Sequence, residues 1–131
     1  MASQIGDFLK ARFLRHLFRF ETWVVPTSVD LHLFNAGGVE VAGNGYAPKT
    51  ISLNGATGWS IDGAAVSNAA TITHGTPTGG GWGQLYKAEL RDGSGNVWAT
   101  ADLGNAPVAT AAGSPVAFAP GKLVFRLQNV V

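Results

Sequence analysis

The hydrophobic periodicity of this chain changes once, at Pro26, from a repeat of three and four residues to a repeat of two. Before it, Ile5, Leu9, Phe13, Leu17 and Phe20 recur at helical spacing, and Phe8, Leu14 and Phe18 widen the stripe. The spacing predicts a helix over residues 4–21, with Ser3 as its cap, Asp7 near the first turn, and Arg15 and Arg19 crowding the last turns, where the dipole favours cations. Pro26 ends any continuation, because it lacks the N–H and clashes with the preceding turn.

Beyond Pro26 the signals are those of strands and turns. Val29, Leu31 and Leu33 alternate with Asp30 and His32. Gly37-Gly38 then offers a turn into Val39-Glu40-Val41, so residues 29–42 read as a hairpin. Gly43-Asn44-Gly45 breaks the pattern, Lys49 to Leu53 resumes it, and Asn54-Gly55 is a strong turn pair. Residues 64–74 read as a strand of small side chains. Trp82 to Leu90 reads as another, returning through Asp92-Gly93-Ser94-Gly95 as Val97 to Leu103. After Pro120-Gly121, Leu123, Phe125 and Leu127 share one face of a last strand. Seven to nine short strands at this spacing predict a mainly β chain, a single β-sandwich or jelly-roll-like domain with an N-terminal amphipathic helix. The boundaries read as a helix over 1–22, a connection over 23–28 and a β-sandwich over 29–131.

Charge and composition exclude several functions. Charged residues are 13% of the 131, about half the usual share, and the net charge is +1, so no global field recruits nucleic acid or a membrane. The small imbalance sits in residues 1–21, where Lys10, Arg12, Arg15 and Arg19 face only Asp7 and Glu21. Four cations are too few for phosphate-dominated binding. No run reaches the roughly 18 apolar residues of a membrane span, and the charges within the first 21 residues do not suit a signal peptide. The chain reads as soluble and made in a cytoplasm. With no cysteine, disulfides, thiol nucleophiles and cysteine-ligated zinc are excluded.

The residues that could carry chemistry are few. His16 lies among arginines on the helix. His32 shares a strand face with Asp30, so that both could meet one ion or one another, but no third ligand is visible. His74 precedes a Gly/Thr/Pro loop. There is no nucleophile elbow, no H-E-x-x-H and no phosphate loop, so neither catalytic residue, nor metal, nor cofactor is expected. Trp59 and Trp98 admit a sugar-stacking reading, set against a core role for tryptophan in a small sheet protein, and Trp82 and Trp98 suit a cross-strand pair. The helix is the most informative element. Its stripe can pack on its own sheet or on a neighbour, and in the second case Phe8, Arg12, Phe13, Arg15, Leu17, Arg19 and Phe20 form the interface.

From Leu31 onward the pattern resembles a group of small virion structural proteins of tailed bacteriophages, known as tail-fibre, tail or head-decoration (cement) proteins. The resemblance rests on Leu31-His32-Leu33-Phe34, on Glu40-Val41-Ala42-Gly43-Asn44-Gly45-Tyr46-Ala47 and on Ile51-Ser52-Leu53. It continues in Trp82-Gly83-Gln84-Leu85-Tyr86 with Asp92-Gly93-Ser94-Gly95, and in Ala119-Pro120-Gly121-Lys122-Leu123. Where many of these chains carry arginine after the Tyr-Ala pair, Pro48 stands here. The resemblance implies a non-enzymatic virion protein assembled in the host cytoplasm. Its expected place is a capsid decoration protein bridging subunits of the major capsid protein, with homo-oligomers; the alternatives are a tail, baseplate or fibre-attachment component and, from the tryptophans, a carbohydrate-binding module.

Overall fold

The computed structural model describes residues 4–53, 58–103 and 108–126. Ser3, Asn54-Gly55 and Leu127, each assigned a part in the sequence reading, lie outside them. Over the described residues the chain is mainly β with a single N-terminal helix. In order, the elements are β1 (Gln4–Ile5), α1 (Asp7–Arg19), β2 (Ser28–Phe34), β3 (Lys49–Ser52), β4 (Trp59–Asp62), β5 (Ala65–Asn68), β6 (Ile72–Gly75), β7 (Gln84–Leu85), β8 (Lys87–Arg91), β9 (Val97–Asp102), β10 (Val108–Ala109), β11 (Val116–Phe118) and β12 (Val124–Arg126).

One antiparallel sheet of order β1-β9-β8-β2-β3 forms the larger layer. Strand β2 shows the predicted alternation: Val29, Leu31 and Leu33 are buried, and Ser28, Asp30 and His32 are not. A three-stranded sheet β12-β5-β4 and the pairs β11-β6 and β10-β7 complete a sandwich-like arrangement. Phe125, Leu123, Phe118 and Val116 meet Leu31, Leu33, Ala88 and Leu90 in one continuous core.

Several elements differ from the expected ones for identifiable reasons. Ile5 is not helical; with Gln4 it pairs to β9, Gln4 opposite Thr100 and Ile5 opposite Ala99. The helix therefore starts at Asp7, with Gly6 as its cap. Gly6 lies so close to β9 that its N–H meets the Trp98 carbonyl at 2.6 Å, and a Cβ there would fall 2.7 Å from the Val97 carbonyl oxygen. At its other end the helix stops well before Pro26. Phe20 turns left-handed (φ 53°), which carries Trp23 back onto the Phe8 and Trp98 rings.

The return strand of the expected 29–42 hairpin is a single bridge, Phe34 to Glu40, because β3 already occupies most of that edge of β2 and β8 the other. The strand expected over Trp82–Leu90 is two strands, interrupted at Tyr86, where the chain leaves its partner β10 to join β2 and β9. Residues 64–74 likewise divide into β5 and β6, which pair with different strands.

Candidate functional site

Among the described residues the helix meets its own body through its first turns. Phe8 and Leu9 pack against the core, and Phe8 stands edge-on to Trp23 with ring centroids 6.1 Å apart. Arg12 lies over the Phe8 ring, its guanidinium 5.4 Å from the centroid. Beyond that point the apolar stripe is bare. Phe13 is 62% exposed, Leu17 50%, Phe18 77% and Phe20 88%, with Leu14 at 53%. Val24 and Val25 extend the same exposure into the connection.

The helix cations already have local partners. Lys10 lies 3.9 Å from Asp7, and Arg15 and Arg19 lie 4.0 and 3.7 Å from the Glu21 carboxylate. Of the seven residues read as an interface, Phe8 packs on the chain's own body with Arg12 over its ring, Phe13, Leu17 and Phe20 are open apolar surface, and Arg15 and Arg19 lie near Glu21. Sequence reasoning left Val24 and Val25 out; two β-branched apolar residues before Pro26 were the available signal.

A second cluster joins the loop after Glu40 to the loop after β6. Gly43, Asn44 and Gly45 are all left-handed, with φ of 75°, 52° and 80°, a run that only Gly and Asn tolerate readily. This bend delivers the Asn44 carbonyl to the Thr78 N–H and the Trp82 Nε1–H, both at 2.9 Å, while Asn44 Nδ2 donates to the Gly81 carbonyl at 2.7 Å.

Tyr46 anchors the bend. Its Oη accepts from the Leu33 N–H at 2.9 Å and donates to Glu40 Oε2 at 2.8 Å, the same oxygen that His32 Nδ1 approaches at 2.7 Å. Burial, and behind it the Glu40 carboxylate, hold the phenol well above its usual range, so it remains a donor. Replacing Tyr46 by Phe leaves the N–H of fully buried Leu33 without this acceptor. The expected cost is about 1–3 kcal/mol, read by urea unfolding.

His74 falls in a strand ahead of the Gly/Thr/Pro loop. It lies buried in β6, stacked on Tyr46 (5.4 Å, 10° between planes) and edge-on to Trp82 (5.5 Å). Nε2 sits 3.1 Å from the Leu31 carbonyl and so carries the proton, while Nδ1 is buried with no partner. Nor do His32 and Asp30 meet: His32 turns to Glu40, and Asp30 accepts from the Thr50 hydroxyl at 2.8 Å. His16 is exposed on the helix. Among the described residues no group of three His, Asp or Glu side chains is placed to hold a metal ion.

The outer face of β8 is a closed charge cluster. Lys87, Glu89 and Arg91 stand opposite Phe34, His32 and Asp30 of β2. Glu89, only 7% exposed, receives Lys87 Nζ at 3.0 Å and Arg91 Nη2 at 2.7 Å, and both cations lie over the Phe34 ring. Burial works to raise the Glu89 carboxyl, but the hydrogen bonds and charges of Arg91 and Lys87 outweigh it and hold it below the usual carboxylate range. Glu89 is thus paired with both cations.

The tryptophans are likewise occupied. Trp98 is buried, packs on Trp23 and donates to Asp92, so it does not pair with Trp82, which belongs to the Tyr46–His74 cluster. Trp59 packs on Phe125 and donates to the Ser52 carbonyl. Trp98 is therefore no free platform for a sugar, and Trp59 is half-buried beside Phe125.

No curated protein matches the chain. A family model described as Podophage GP4 fiber I protein gp80 matches residues 4–126, from the first strand through the last and including both the helix and the Asn44 bend. The chain therefore belongs to the podophage GP4 fiber I protein gp80 family and is a small structural protein of the tailed-phage virion.

Proposed function

We propose that this chain is a non-enzymatic tail-fibre component that attaches to neighbouring virion proteins, further copies of itself among them, through the outward face of α1. The observation that carries the reading is the run of large apolar side chains from Phe13 to Phe20 left open on a helix whose first turns are fixed to the body. A 13-residue helix is marginal without tertiary cover, and covering this face removes apolar area from water at roughly 25 cal/mol per Å². Lys10, Arg15 and Arg19 lie beside Asp7 or Glu21, leaving residues 1–21 a surplus of only two positive charges, which favours an uncharged apolar partner over phosphate or anionic lipid. In this reading residues 1–22 attach, 23–28 connect and 29–131 form the displayed body.

The fiber description of the family supports the tail reading. A cement protein seated on the major capsid protein would use the same helix face. Immunogold labelling of purified particles separates the two. Label on the tail fibres is the expected result; label spread over the shell would replace this reading with the capsid one, and unlabelled particles would defeat both.

A further inference from the structure

The His74 cluster has the construction of a proton-operated latch. We propose that His74 holds the Gly43–Tyr46 bend against residues 78–82 only while its ring is neutral, and that protonation at Nδ1 releases this contact while the five-stranded sheet stays formed. The geometry leaves one place for the proton. Nε2 already donates to the Leu31 carbonyl, so an added proton goes to Nδ1, which is buried and faces no acceptor. The new N–H would be an unpaired donor on a buried cation, a costly state in a packed interior.

The surroundings of the ring oppose that charge on balance. Burial disfavours it most, and Lys49 of β3 and His32 of β2 add to that; the Leu31 carbonyl and Glu40 favour it, and Tyr46 and Trp82 present neutral rings. Burial, the largest influence, places the His74 pKa below its ordinary 6.5. The sign follows. The unfolded chain takes up the proton near 6.5 and the closed bend resists it, so closure is at full strength above that pH and is lost progressively as the pH falls below it.

The bend is the element that gives way. It is held to the rest of the molecule by the Asn44 bonds to Thr78, Gly81 and Trp82, by the single Tyr46 Oη bond to the Leu33 N–H and by the rings packed on His74, whereas β2, β8 and β9 hold one another through continuous ladders. Local opening free energies differ in this way between loops and central strands.

Amide hydrogen exchange on the full chain at about pH 7.5 and about pH 5, corrected for intrinsic exchange, tests the latch. Protection of the Thr78 amide, which bonds Asn44, is expected to fall about tenfold or more between the two relative to the Leu90 amide of β8. In His74→Phe, which keeps the stacking and cannot take a proton, Thr78 protection should be the same at both pH values. Constant protection in the parent chain, or an equal loss in His74→Phe, overturns the proposal. Should that variant fail to fold, histidine ring NMR of the parent chain decides the matter: opening that tracks His74 protonation supports the latch, and opening while the ring stays neutral overturns it.

Discussion

Replacing Phe13 and Leu17 together by Glu is expected to leave the chain folded and to remove it from assembled particles. Both side chains are at least half exposed, and glutamate is a good helix former, so unfolding free energy should stay within about 0.5 kcal/mol of the parent. Assembly pays the whole effect. Losing the exposed part of two large apolar side chains forfeits about 2–3 kcal/mol, and two unpaired carboxylates facing an apolar partner add to that, a drop of more than about a hundredfold in affinity. Parent and variant chains are compared by urea unfolding and by incorporation into particles. Normal incorporation of a folded variant would mean that this face is not the attachment surface. Removing residues 1–22 is a poorer test, because it also strips β1 from β9 and takes Ile5, Phe8 and Leu9 from the core.

The largest effect on stability is expected at Asn68, which is 1% exposed. Its Nδ2 lies within 3.0 Å of the carbonyls of Ala70, Phe118 and Ala119, and its Oδ1 accepts from the Leu123 N–H at 3.0 Å. One side chain thus ties β5 to the end of β11 and the start of β12. Asn68→Ala leaves these buried groups without their partner, an expected loss of about 3–5 kcal/mol by urea unfolding. Asn68→Asp should cost more at neutral pH, because a carboxylate would face three carbonyl oxygens. Burial raises the pKa of the introduced carboxyl, so the deficit of this variant relative to the parent should shrink as the pH falls and the group becomes a donor. A loss of under about 1 kcal/mol in Asn68→Ala would show that the three connections hold without it.

What was legible in the sequence followed the range of the forces involved. The alternation of Val29, Leu31 and Leu33, and the turn at Asp92, are local. The Asp92 carboxylate collects the N–H groups of Ser94 and Asn96 and the side chains of Asn96 and Trp98 within a few residues. Strand β1 was not legible, because two residues carry no period and their partner β9 lies more than ninety positions away. The break at Tyr86 is an exchange of strand partners, which no local pattern announces.

The helix stripe named an apolar face without saying what covers it. The structure divides it, placing Phe8 and Leu9 on the body and leaving Phe13 to Phe20 open. The Glu40–Ala47 motif was visible as a string of residues, but its role depends on Thr78, Gly81 and Trp82. Asn68 gave no signal, since a lone Asn in a weakly patterned segment looks the same whether it caps a turn or ties three strands together.

The claim that the chain is a fibre component held by its helix is tested most directly by its copy number in purified particles, measured by quantitative mass spectrometry against the major shell protein. The account predicts a small number of copies set by the symmetry of the tail, far below that of the shell protein. A count that scales with the shell lattice, or absence from the particle, would contradict it.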